Sequence, residues 1–409
     1  MERYDVLVVG AAAGAVAARS AALAGARVLL IERSPNRPPR CTGLVGPRTV
    51  DLLGLPSGLV LREIRAVRVC APSGGTGEFR APGPKGYVLD RSRLDRWLLE
   101  RAADAGAVVR SPVAAVGVAG RVLHTTAGPV AFEVLIGADG AASAVRRWTH
   151  LPPPGEILVG VQARVEPSPQ PSPARGKGRN RGTNPSSTLA GDAVEVHLGR
   201  ELAPGGFAWA VPAEEGTVRV GLITSSGRAA MPLLSRFLGR RYPGARVLAR
   251  ESGLVPIGPP SRTVGDGTLL VGDAAAQVKP LSGGGILFGT ISARIAGEVA
   301  AQGAGALPEY EARWRAEIGD EIAFGLRARK AFLALSDQDL DRVIPALDRP
   351  ELRRLVSVEG DIDRPSRLVR AVLTRPDVWA AVVPAVRAVG GWARAWELAL
   401  GLPAAPEPR

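Results

Sequence analysis

The stretch Asp5-Val6-Leu7-Val8-Val9-Gly10-Ala11-Ala12-Ala13-Gly14-Ala15 passes from a short apolar, β-branched run straight into glycine and alanine. The run reads as a buried strand. The alanine-rich residues 11–24 read as a helix whose small side chains pack close to a sheet. Gly25 stands where a glycine C-cap is expected, and 27–32 form a second buried strand ending on Glu32. Strand, helix and strand in this order make the first βαβ unit of a doubly wound α/β fold. The turn into the helix offers free N–H groups and the positive end of the helix dipole to the pyrophosphate of a dinucleotide. The spacing departs from G-x-G-x-x-G, because Ala12 and Ala15 occupy the second and third glycine positions while Gly14 falls outside them. Glu32, about 20 residues beyond the loop, is placed to hold a ribose hydroxyl, with Arg33 beside it.

Two more stretches repeat the strand-then-glycine form. Val134-Leu135-Ile136-Gly137-Ala138-Asp139-Gly140 is followed by Ser143 and Arg146. Leu269-Leu270-Val271-Gly272-Asp273-Ala274-Ala275 leads into Lys279-Pro280-Leu281-Ser282-Gly283-Gly284-Gly285-Ile286, and a helix is expected over 285–302. Asp-Gly alone is an ordinary turn pair, and three glycines alone are an ordinary flexible link. Their order after Gly272-Asp273 is what sets the third stretch apart.

At 409 residues the chain is long enough for two or three cores. Residues 91–105 have helical periodicity, with Leu94, Trp97, Leu98 and Ala102 on one face. Between 157 and 223 the pattern changes to alternating strands, which predicts an inserted sheet domain. From 308 onward the chain is helical and rich in Arg and Ala. The expected organisation is a discontinuous nucleotide-binding domain (1–70, 88–150 and 260–303), a substrate-binding sheet (71–87 and 151–259) and a C-terminal helical region (304–409). Residues 166–190, with Arg175, Lys177, Arg179 and Arg181, hold too little apolar surface to offset ordering entropy. They read as a disordered insertion at a hairpin tip.

Cys41 and Cys70 cannot build a disulfide framework, and His124, His150 and His197 lack ligand spacing, so no metal site is expected. The net charge of +13 comes largely from scattered arginines without aromatic interleaving, which argues against a nucleic-acid partner. Anionic lipid or an acidic electron donor accounts for it as well, and simple solvation of surface arginines is the main reading. The chain runs straight into a strand, with no leader and no apolar stretch of about 18–20 residues, which predicts a cytoplasmic protein. Residues 379–400 carry Trp379, Trp392 and Trp396 with Arg387 and Arg394, a pattern suited to a helix lying on a membrane. Pro384 and Gly390-Gly391 interrupt it, and an ordinary packed helix pair is the other reading.

Gly137-Ala138-Asp139-Gly140 resembles the internal motif of the flavoprotein hydroxylase superfamily, and Gly272-Asp273 with its glycine run resembles that superfamily's second FAD fingerprint. The resemblance narrows at Cys41-Thr42-Gly43-Leu44, at Asp90-Arg91 with Leu94-Asp95, and at Gln277-Val278-Lys279-Pro280. With Gly205-Gly206-Phe207-Ala208-Trp209-Ala210-Val211-Pro212, these look like the geranylgeranyl reductase family. The resemblance implies a Rossmann-like FAD-binding domain, an inserted antiparallel β-sheet domain and a helical C-terminal part. It implies flavin contacts at Gly10, Ala12, Gly14, Ala15, Glu32, Arg33, Arg91, Asp139, Gly272, Asp273, Pro280, Gly283, Gly284, Gly285 and Ile286. In it Asp273 holds the ribityl hydroxyls, and the next helix N-terminus faces the pyrimidine end of the flavin. Phe207, Trp209 and Pro212 would wall an isoprenoid cavity, with Val211 where Phe is usual.

The implied activity is saturation of C=C bonds in polyprenyl chains by hydride from reduced FAD, on a polyprenyl lipid or quinone side chain. Cys41 matches a cysteine near the flavin, and a proton donor, a redox gate and a small buried hydrophobe all stay open as its role. No second dinucleotide loop follows the first, so electrons are expected from transiently bound NADPH or a ferredoxin-like protein. Two other readings remain. A flavin monooxygenase or halogenase is one, since Phe207-x-Trp209-x-Val211-Pro212 also resembles the halogenase Trp-x-Trp-x-Ile-Pro element. A non-catalytic relic with weakened FAD binding is the other.

Overall fold

A computed structural model describes residues 1–36, 38, 40–168, 191–214 and 216–388. Five parallel strands form its centre, in the order Thr268–Leu270, Gly128–Gly137, Arg3–Val9, Val28–Ile31 and Val108–Arg110. Val6, Leu7 and Val8 are fully buried, as are Leu29 and Leu30, which is why both strands read as unbroken apolar runs rather than alternating ones. Helices Ala13–Leu23, Arg91–Asp104 and Ile286–Ala300 contribute to the core on one face. The small residues of the first helix allow a close approach, and Gly297 of the last packs directly on the Ala17 carbonyl.

The inserted domain is a seven-stranded sheet in the order Arg246–Ile257, Glu156–Glu166, Val218–Thr224, Phe207–Pro212, Ala193–His197, Ala66–Cys70 and Thr76–Arg80. Helix Ala230–Arg241 covers it with Leu234 and Phe237. Three expectations change here. Ala66–Cys70 belongs to this sheet, pairing in parallel with Ala193–His197, so the first boundary falls before 66 rather than after 70. That pair also makes the sheet mixed rather than purely antiparallel. The strands flanking 166–190 are not a hairpin, because Val218–Thr224 and Phe207–Pro212 lie between them. Alternation tells which face a residue occupies, not which strand lies next door. Most of that segment, with Arg175, Lys177, Arg179 and Arg181, lies outside the described residues, as do Trp392, Arg394 and Trp396. A small three-stranded sheet (Leu44–Val45, Gly86–Leu89, Val60–Ile64) links the two domains.

The C-terminal helices brace the nucleotide domain. Helix Leu307–Trp314 buries Tyr310 and Trp314 almost completely. Tyr310 donates to the Leu270 carbonyl at 2.7 Å and accepts from Gln277 Nε2 at 2.9 Å, while Gln277 Oε1 accepts from Gly272 N at 2.8 Å. One phenol thus ties the helix to the strand end that carries Asp273. Burial pushes the Tyr310 pKa well above its ordinary value. Tyr310→Phe is expected to destabilise the protein by about 1–3 kcal/mol, because it strands a buried carbonyl and an amide donor. Chemical denaturation of the two proteins measures the difference.

Candidate functional site

The three glycine stretches meet at one cleft. Gly10 has φ +100°, and a Cβ on it would lie 2.5 Å from the Ala138 carbonyl oxygen, so the first and second stretches touch through bare backbone. Gly272, at φ +59°, would place a Cβ 3.2 Å from that of Ala13, which brings in the third. Gly14, outside the expected spacing, packs helix on strand: a Cβ there would meet Ala138 Cβ and Val8 Cγ1, each at 3.0 Å. Ala12 takes φ +56°, a left-handed conformation that favours glycine, so its methyl is accommodated at some strain. Ala15 is fully buried behind the loop.

Glu32 closes the loop. Its Oε2 accepts from Ala11 N at 2.8 Å and its Oε1 from Ser34 N at 2.7 Å, while Arg33 is exposed. Asp139 Oδ2 accepts from Ala144 and Val145 N–H at 2.6 and 3.1 Å, at the start of helix Ala144–Trp148. Its Oδ1 is buried without a partner, and so is Nε of Arg91, whose guanidinium pairs with Asp95 at 2.6 Å. Burial alone would lower the Arg91 pKa, but Asp95, Cys41 and Asp273 together raise it. Asp273 follows Gly272 at the end of the third stretch, in an exposed position. Its carboxylate is reachable by solvent, yet protein crowds it closely enough that burial pushes its pKa up against the pull of Arg91. A buried acceptor and a buried donor left open beside a helix N-terminus are what a dinucleotide with hydroxyls and phosphates would complete. These residues fit FAD.

Beyond the cleft opens a cavity of about 700 Å³, walled by both small and large sheets, the glycine run and the C-terminal helices. Phe207 and Trp209 line it with their rings 5.9 Å apart, and Ile223 and Val211 lie beside them. Trp209 lies on Gly221, where a Cβ would come 2.5 Å from Cζ2 of the indole. Gly283, Gly284, Gly285 and Ile286 form the wall nearest Asp273, and Cys41 lies on the wall as well. Pro212 is buried at the strand end opposite Val218 and is not among the lining residues. Pro280 packs against Gly325 of the C-terminal helices.

Among the lining residues to which the sequence reading gave no site role are Gln162, Glu251, Lys279 and Asp363. Gln162 donates to the Cys41 carbonyl at 3.3 Å and to Glu251 at 2.5 Å. Lys279 and Asp363 form an ion pair at 2.9 Å. Gln162 and Glu251 are separated by 89 residues and carry no local signal. Lys279 stood inside a quoted motif, but its partner lies 84 residues on. Among the described residues no group of three or more His, Cys, Asp or Glu side chains could hold a metal ion, and no helix is long and apolar enough to cross a membrane.

Fold and site together define an oxidoreductase of the flavoprotein class. No family model matches the chain. It is 34% identical over 382 residues to the digeranylgeranylglycerophospholipid reductase of Methanothrix thermoacetophila, covering 86% of this chain and 93% of that one. Among solved structures it is similar to a geranylgeranyl bacteriochlorophyll reductase-like protein from Thermoplasma acidophilum, with TM-score 0.76 and 24% identity over 93% of this chain and 98% of that one. The p-nitrophenol 4-monooxygenase of Pseudomonas putida shares the fold at TM-score 0.67 but only 16% identity, covering 90% and 99%. The chain belongs to the geranylgeranyl reductase family, on the side of the digeranylgeranylglycerophospholipid reductases.

Proposed function

We propose that the chain saturates C=C bonds in the polyprenyl chains of a geranylgeranyl-type lipid, with FAD as its cofactor. The carrying observation is the cavity of about 700 Å³ that runs from Phe207 and Trp209 to the glycine run beside Asp273. That volume is within the usual range for small-molecule sites. The name of the Methanothrix relative describes a substrate with long alkene-bearing chains, which this cavity suits.

Bound FAD, once reduced, supplies a hydride to an alkene carbon. The protein's share is placement. An isolated double bond is not polarised, so Phe207, Trp209 and Ile223 must hold it still and keep water away. Each buried CH₂ contributes about 0.8 kcal/mol to holding the chain. Arg91, Asp139 and Asp273 hold the cofactor, and Gln162 fixes the Cys41 backbone in the wall. Electrons come from transiently bound NADPH or a ferredoxin-like protein, and the net charge of +13 favours either anionic donor. Peripheral contact with a membrane delivers the lipid, and exposed Trp379 suits such contact.

The test begins with the visible spectrum of purified protein, alone and after adding FAD. Flavin-loaded protein is then reduced with dithionite without oxygen and given digeranylgeranylglycerophospholipid. Mass spectrometry should show the gain of one H₂ per saturated bond. No reduction of any polyprenyl substrate by flavin-loaded protein sinks the reading. Rapid substrate-stimulated oxygen uptake would instead make it a monooxygenase.

A further inference from the structure

A buried ion pair lies in the cavity wall beside the glycine run. Lys279 is 9% exposed and Asp363 is fully buried. Lys279 Nζ donates to Asp363 Oδ1 at 2.9 Å and to the Ile362 carbonyl at 3.2 Å. An ammonium has three donors, so one N–H remains beyond these two. The head group lies over Gly284: a Cβ there would be 2.8 Å from Lys279 Cε and 3.4 Å from Nζ. Asp363 Oδ2 packs on Gly46 and is buried without a hydrogen-bond partner.

Gly285 opens the helix Ile286–Ala300, whose first turn carries no acid and no side-chain cap. Its leading N–H groups and dipole are therefore unanswered by the helix itself. On its other side Gly285 meets the acid of the flavin cleft, with 2.8 Å between Asp273 Oδ1 and a Cβ at Gly285. An ammonium and a helix N-terminus thus converge on the piece of wall that adjoins Asp273. Burying such an ion pair costs several kcal/mol per ion, and apolar residues of like size are often at least as stable. The charge here is thus better explained by site chemistry than by stability.

We propose that Lys279, positioned by Asp363, stabilises the negative charge that two-electron reduction places on the bound flavin. The inference rests on the FAD binding proposed above. Two electrons and one proton from the donor reduce the ring and leave it one negative charge. No proton is drawn from the protein, so no further reactant is required.

Sulfite is the probe. It forms a bond to the oxidised flavin with its own electron pair and leaves the ring negatively charged, so its Kd reports the positive potential at the site without any turnover. Full-length wild type, K279M, K279Q and K279R are loaded with FAD and titrated with sulfite in parallel, and the flavin reduction potential is measured for each. K279M and K279Q should still take up FAD, bind sulfite at least about ten-fold more weakly, and show a lower potential. K279R should recover most of the loss. K279Q can still hydrogen-bond to Asp363 or Ile362, so a packing defect in K279M does not decide the outcome. Sulfite affinity within about two-fold of wild type, with an unmoved reduction potential, in either flavin-loaded neutral variant overturns the proposal. So does a wild type that holds FAD but binds no sulfite, or neutral variants that both fail to hold FAD. A wild type that takes up no FAD overturns the proposed function as well, which separates the two failures.

Discussion

Asp273→Ala is expected to lose flavin while keeping, or slightly raising, the stability of the flavin-free fold. The carboxylate lies 2.8 Å from where a Cβ of Gly285 would sit, and no helix cap or turn depends on it in the way that Asp139 holds Ala144 and Val145. Burial raises its pKa in the folded protein despite Arg91, so the folded state binds its proton more tightly than the unfolded chain does. Folding stability without flavin therefore falls as pH rises through and above the ordinary carboxylate range, and the alanine variant should lose that slope. Flavin affinity goes the other way. Charge-assisted hydrogen bonds to a sugar-alcohol chain contribute about 1.5–3 kcal/mol each, so a fall of about 100-fold is expected from losing one or two. Thermal unfolding of the flavin-free proteins and fluorescence titration with FAD separate the two effects. Unchanged affinity would remove Asp273 from the flavin site, and a less stable fold would give it a structural role instead.

Glu195→Ala should be the most damaging change in the inserted sheet. Glu195 is 2% exposed and takes both arms of Arg241 at 2.9 Å, with Arg68 at 3.2 Å and His197 at 3.1 Å. Removing it leaves the largely buried Arg241 without this carboxylate, a loss of about 3–5 kcal/mol. Burial alone would raise the Glu195 pKa, but the hydrogen bonds and charges of His197 and Arg241 hold it down to about 2, against an ordinary 4.5. Its contribution is therefore fully present above pH 4.5 and is lost as pH falls toward 2, amounting to about 3 kcal/mol. Denaturant titrations of wild type and Glu195→Gln between neutral and acid pH should converge as the wild type loses this contribution. Parallel curves at every pH would show that the cluster is not an electrostatic support. Glu195 also lines the cavity, so its loss should loosen the wall that carries Val194 and Val196.

What the sequence determined by itself is local in character. Val6 to Val9, Leu29 to Ile31 and Leu269 to Val271 announced buried parallel strands because both faces of such strands are covered and leave no alternation. Gly10, Gly272 and the run from Gly283 to Gly285 announced the cleft, because positive φ at Gly10, Gly272 and Gly283 and close approach at Gly284 and Gly285 favour residues without a side chain. The motifs also carried the family. What the tertiary structure decided depends on pairing between distant residues. That Ala66–Cys70 joins the inserted sheet, that the strands around 166–190 are not neighbours, and that Gly14 rather than Ala15 makes the tight helix–strand contact all follow from register and packing. No window of sequence encodes those. The same holds for the charges in the cavity wall. Lys279 with Asp363, Gln162 with Glu251, and Glu195 with Arg241 gain their chemistry only when folding removes water and sets each beside its partner, because a charge in solvent is screened and a buried one is not.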